Sequence, residues 1–99
     1  MTVRHVVSWQ LAATDPAVKA EHADAIVRGL RSLVGVVDEI EALHAGTDIA
    51  GGGNWDVVLV ADFDDLDAVG RYQVHPSHQE VAGFIQSVVS QRMVVDFEV

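Results

Sequence analysis

The four residues Val57-Val58-Leu59-Val60 are apolar at every position. Side chains alternate between the faces of a sheet, so a strand built from them shows hydrocarbon on both sides. The closing segment makes the same demand, because Met93, Val95, Phe97 and Val99 share one parity of residues 92–99. A chain of 99 residues is read as one domain, residues 1–99. Domains of that size bury little more than ~60% of their unfolded surface. Helices in so short a chain cover one sheet face only. The other apolar face needs a partner, since left open it is a patch large enough to drive aggregation. Two copies packed sheet against sheet satisfy it, and a homodimer is the expected assembly.

The remaining elements follow from periodicity. Residues 3–11 alternate, with Val3, His5, Val7, Trp9 and Leu11 on one side, which predicts a strand. Asp15 and Pro16 then read as the N-cap and first residue of a helix reaching about Val34, which Gly35 ends. Residues 36–45 alternate again and predict a second strand; the glycine-rich stretch 46–54 is a connection. Residues 55–63 form a third strand, and Asp64 or Asp65 caps a short helix through about Tyr72. His75 and Pro76 open another helix, to about Ser90, before the closing strand. The order β-α-β-β-α-α-β is that of an α+β, ferredoxin-like subunit with its helices on one face.

Charge and composition exclude several classes. Fifteen acidic residues against six basic ones leave a net charge of −9. Nucleic acid and anionic membrane surfaces both call for clustered Lys and Arg, and neither is an expected partner. No cysteine is present, so disulfides and thiolate chemistry are absent. The first residues lack the apolar core of a signal peptide, and no stretch is long and apolar enough for a membrane span. A cytoplasmic protein is expected. The glycine-rich stretch has no lysine and joins no strand to a helix, which argues against a phosphate cradle.

The polar residues that enter apolar patterns are Tyr72, His78 and His5. On a helix starting at Pro76, His78 falls on the stripe of Val81, Ala82, Ile85, Val88 and Val89. It is either a core histidine with a hydrogen-bond partner or a general base, since a neutral imidazole accepts protons near neutral pH. Tyr72 is either packing with its hydroxyl at solvent or a donor to a developing oxyanion. His5 shares the side of Val7 and Trp9, and bonds either a ligand or a helix end. His75, before a proline, reads as the opening of a helix. Two histidines three apart do not make a zinc site without a third ligand, and only Glu80 is near. No metal is expected there. The acidic run at 62–67 reads as helix capping, with weak divalent-cation binding as the other option.

The segments "VRHVV", "WDVVLVADFDDLDAVGRYQVHPSHQEV" and "RMVVDFEV" resemble the stress-responsive A/B barrel (Dabb) family, over nearly the whole chain. The resemblance implies a dimeric α+β barrel, two ferredoxin-like subunits joined through their sheets. The family includes a polyketide cyclase that works without a cofactor. Its tyrosine and histidine catalysts match Tyr72 and His78 through the pattern Y-x-x-H-P-x-H, and its first-strand histidine matches His5. The function expected on that basis is binding of a small apolar carbonyl compound, with no cofactor, by a polyketide cyclase-like or aldol-type lyase. His78 would be the base and Tyr72 would stabilise the enolate, with His5 holding a carbonyl. The strands would supply Val7, Trp9, Ile40 and Leu59 as walls; the helices would supply Leu66, Val81 and Ile85. The alternatives are a non-catalytic stress-response or small-molecule-binding dimer, and a cofactorless monooxygenase.

Overall fold

Strict alternation at the N-terminus produces β1 (Val3–Leu11), whose odd-numbered residues are all buried and whose even-numbered ones are half-exposed. The computed structural model describes residues 1–99, and β1 is one of its two central strands. After β1 come α1 (Pro16–Arg31), β2 (Ala42–Thr47) and β3 (Val57–Phe63). Then follow α2 (Leu66–Val74), α3 (Pro76–Val88) and β4 (Val89–Glu98). The sheet runs β2-β3-β1-β4 with every neighbouring pair antiparallel, the ferredoxin-like arrangement. No helix is long and apolar enough to cross a membrane.

The second strand starts later than its alternation suggests. Val36 is exposed and Val37 is buried, but the chain there is a series of turns, with Val36 and Val37 both donating to the Leu33 carbonyl at 3.1 and 3.0 Å. Leu33 and Val37 enter the core four residues apart, the spacing of a helical turn. Gly35 makes the reversal with φ of +83°, a conformation that suits glycine because it has no Cβ. α3 in turn ends two residues early, and β4 begins at Val89, where its pairing with β1 shifts register between Gln10 and Leu11.

Caps divide unevenly between the expected residues. Asp15 holds the N-cap position of α1 with Pro16 after it, but its side chain makes no cap bond. Asp65, by contrast, accepts from the Ala68 amide at 2.8 Å and closes the first turn of α2. Asp65→Ala removes that acceptor and is expected to cost about 1 kcal/mol, read as a lowered Tm in thermal unfolding followed by circular dichroism.

The core lies between the sheet and the helices. Val7, Leu59 and Phe63 meet Ile26 and Leu30 of α1 and Val69 of α2 there. On the opposite side of the sheet, β1 registers Val6 against Val60 and Val95, while Ser8 faces Met93 and Arg4 faces Phe97. Val95 is 50% and Phe97 45% exposed in the isolated chain. These side chains, with Met93 and Val58, form the uncovered apolar face that the two-sided strands require. Arg4 and Asp62 edge it with a bidentate ion pair, whose guanidinium holds the Asp62 carboxyl below the usual carboxylate range.

Candidate functional site

A pocket of about 510 Å³ opens between the helix-side face of β1 and β4 and the ends of α2 and α3. That volume suits a small organic ligand. Val7, Trp9 and Leu59 of the sheet form its floor, and Leu30, Ala82 and Ile85 come from the helices. His5, Tyr72 and His78 all line it. A second, more open groove of about 610 Å³ lies outside α1 and α3 and contains no histidine or tyrosine.

Helix geometry places the tyrosine. The buried stripe of α2 is Ala68, Val69 and Tyr72, so the ring is driven inward at the last turn. Tyr72 is fully buried, and its hydroxyl has no hydrogen-bond partner. One other buried polar side-chain atom is unpartnered, His22 Nδ1, and it lies outside the pocket. Burial pushes the Tyr72 phenol up to about 12, so it stays protonated and remains a donor at ordinary pH. An unpaired buried hydroxyl is costly.

His75 then turns the chain. It ends α2, opens α3, and accepts from the Ser77 amide through its Nδ1 at 3.1 Å. With Pro76 next, the backbone restarts as a helix and carries His78 back over Tyr72, ring centroids 4.2 Å apart. His78 Nδ1 lies 3.1 Å from the Gln73 carbonyl, which can only accept. The proton of the neutral ring therefore sits on Nδ1, and Nε2 keeps its lone pair. Burial lowers the His78 pKa; the Gln73 bond opposes this, and the nearby His5, Arg92 and His75 add to it. The ring is a neutral base at pH 7.

His5 is almost wholly buried, and its Nδ1 lies 2.5 Å from Oδ1 of Asp96, directly opposite it on β4. The carboxylate fixes the ring's orientation and, in the neutral ring, leaves Nε2 as the acceptor. The His5 ring stands edge-on to Tyr72 at 6.1 Å.

Three of the expected wall residues lie elsewhere. Leu66 is 62% exposed, because it begins α2 off the helix's buried stripe. Val81 turns toward α1, where its Cγ1 would lie 3.2 Å from a Cβ on Gly29. Ile40 packs on the core before β2, which sits at the far edge of the sheet from β4. The polar rim of Gln73, Gln86, Gln91 and Arg92, together with Asp96 behind His5, was missed by pattern reading. Parity held the signal: Arg92 and Asp96 fall on the opposite side of β4 from Met93, Val95 and Phe97.

Nowhere do three or more His, Asp or Glu side chains converge as a metal cluster would require. His75 spends its Nδ1 lone pair on the Ser77 amide, Asp62 pairs with Arg4, and Asp65 caps α2. Two of the four carboxylates of the acidic run, Asp62 and Asp65, are thus committed to structure.

A one-layer helix cover, a ferredoxin-like sheet and a histidine–tyrosine pocket on the covered side define an α+β subunit with one covered and one open sheet face. The chain belongs to the stress-responsive A/B barrel domain (Dabb) family, whose model matches residues 3–99. It is 25% identical to the stress-response A/B barrel domain-containing protein HS1 of Arabidopsis thaliana, over 97% of this chain and 88% of that protein. A dimeric protein of unknown function and ferredoxin-like fold from Bacteroides fragilis matches with a TM-score of 0.92 at 25% identity. That match covers 99% of this chain and 96% of the other. A dimeric ferredoxin-like protein of unknown function from Thermobifida fusca matches at 0.84 with 27% identity, over 100% and 92% of the two chains. Two enzymes share the fold alone. They are a hydroxynitrile lyase from Passiflora edulis (TM-score 0.78, 16% identity, 97% and 91% covered) and SnoaB, a cofactor-independent oxygenase from Streptomyces nogalater (0.75, 14%, 99% and 92%).

Proposed function

We propose that the protein is a lyase or cyclase that removes a proton beside the carbonyl of a small apolar compound and needs no cofactor to do so. The observation that carries this reading is the buried, unpartnered Tyr72 hydroxyl against a His78 ring whose Nδ1 is tied to Gln73. His78 Nε2 takes the proton, and the C–H electron pair moves onto the carbonyl oxygen as an enolate. The Tyr72 hydroxyl donates to that oxygen, in a pocket where such a bond is worth more than in water. His5, oriented by Asp96, presents its Nε2 lone pair and accepts from a hydroxyl or enol O–H of the same ligand. If the enolate carbon then attacks a second carbonyl, His78 returns the proton to the new alkoxide and a ring closes. Base and oxyanion donor both come from the chain, which is why the chemistry asks for nothing further. The protein acts as a homodimer through the open sheet face, a reading supported by its dimeric structural relatives.

Deuterium exchange tests the first step without knowledge of the substrate. Incubated with acetophenone in D₂O at neutral pH, the protein is expected to exchange the methyl protons faster than buffer does, followed by loss of their NMR signal. Tyr72→Phe keeps the ring and removes the donor, so exchange should slow by roughly 10²-fold while the fold persists. Ligand-induced shifts at Tyr72 and His78 without any exchange would instead make this a binding protein.

A further inference from the structure

The chain has six Lys and Arg residues, and the structure commits five of them. Arg4 pairs with Asp62, Lys19 with Asp56, Arg28 with Asp24 and Arg71 with Glu39, while Arg31 donates to the Ala45 carbonyl. Arg92 alone has no ion pair and no side-chain hydrogen bond, and it lines the pocket beside Gln73 and Gln86. In a chain of net charge −9 an unpaired guanidinium is conspicuous, since acidic partners outnumber basic residues by fifteen to six.

From that placement we infer that the compound bound in the pocket carries a carboxylate, held by Arg92 at the mouth, while its ketone lies between His78 and Tyr72. The inference rests on the proposed deprotonation and names the class of substrate, a keto acid. Strand geometry supplies the polarity. Arg92 and Asp96 lie on the same side of β4, four residues or about 13 Å apart. Asp96 backs His5 at the inner end. A ligand with an anionic end is repelled there and attracted at Arg92, so the two charges orient it one way round. Trp9, the cross-strand partner of Arg92, provides an apolar floor beside the guanidinium. Planar guanidinium and carboxylate match as a two-bond pair, and the rim glutamines add neutral donors. Arg92 also acts on the chemistry's base, as its charge is near enough to His78 to favour the neutral ring. The bland role for this residue is to blunt an exposed edge strand, which any cation does without regard to a ligand.

Two probes of equal shape separate these roles: 4-acetylbenzoate and 4-acetylbenzamide, which differ in charge at one end. Titrated against the full chain and followed by tryptophan fluorescence and NMR shifts, the carboxylate is expected to bind about 5- to 10-fold more tightly than the amide, the range for a partly exposed pair. The preference should shrink as salt rises from 0.05 to about 0.5 M, with the shortening Debye length. Arg92→Gln should bring the ratio close to one, and Arg92→Lys should retain part of it. Arg71→Gln changes the net charge equally at a site outside the pocket and should leave the ratio as it was. If both probes bind equally, or if Arg92→Gln keeps the preference, the keto-acid inference is overturned and the deprotonation reading stands. If neither probe binds the wild-type protein, the inference and the reading beneath it fall together.

Discussion

His78→Ala is expected to lower turnover of a carbonyl substrate by about 10²–10⁴-fold, the usual share of a positioned general base. The variant should stay folded, because the ring is half-buried at the pocket and makes one hydrogen bond, to the Gln73 carbonyl. Circular dichroism and sedimentation check that. The pH profile then separates proton transfer from mere packing. The neutral ring is the active form, so the rate rises with pH and levels off once His78 has lost its proton. Burial lowers the His78 pKa from its ordinary 6.5, so the acid limb lies below that value. Tyr72 adds no alkaline limb in the working range, since its phenol is pushed up to about 12. A one-sided profile is expected, and His78→Ala should abolish its acid limb. A substrate turned over by His78→Ala at the wild-type rate would place the base elsewhere and leave "HPSH" a capping and packing motif. His75→Ala offers the contrast, because His75 serves the Ser77 amide. Its loss should loosen the start of α3 and touch the chemistry less.

Periodicity carried most of this frame. Alternation in residues 3–11 marks both the strand and its buried parity, and Pro16 and Pro76 mark helix starts that the structure keeps. The motif around Tyr72 and His78 was readable because both residues lie within one turn of a helix break, so local geometry brings them together. The His5–Asp96 pair is different. Its members are 91 residues apart, and their meeting depends on β4 lying beside β1 in a particular register. A pattern tells which side of a strand a residue takes, but it does not tell which strand lies next to it. The same gap explains the walls. Ile40 and Ile85 both follow apolar patterns, yet Ile40 precedes the edge strand β2 while Ile85 sits on α3 at the pocket. Val36 and Val37 failed for another reason, since two adjacent apolar residues fit a strand and a tight turn equally well. Arg92 was legible as a charge and not as a free one. Its lack of a partner is known only once the other five cations are seen to have theirs.

Val95→Glu is expected to dissociate the protein, raising the dimer Kd by about four orders of magnitude or more. Val95 sits mid-strand on the open face, registered against Val6, with Val60 beyond it on β3. In a sheet-to-sheet dimer that position is closed to water, and the side chain directly across from it on β1 is Val6. An unpaired buried charge of this kind costs about 3–5 kcal/mol, and each 1.4 kcal/mol is a factor of ten in Kd. Because two copies of the face meet, the mutation counts twice in every dimer. The released subunit exposes Met93, Phe97 and Val58 together, so aggregation should accompany dissociation. Val94→Glu provides the parity control. It is 40% exposed on the same strand but points to the helix side, where an edge position lets a carboxylate reach solvent. Sedimentation velocity at micromolar concentration distinguishes the cases: dimer for wild type and Val94→Glu, monomer and aggregate for Val95→Glu. A wild-type protein that sediments as a stable monomer would mean that the chain tolerates its open face. Two-sided apolar strands would then not require a sheet-to-sheet partner.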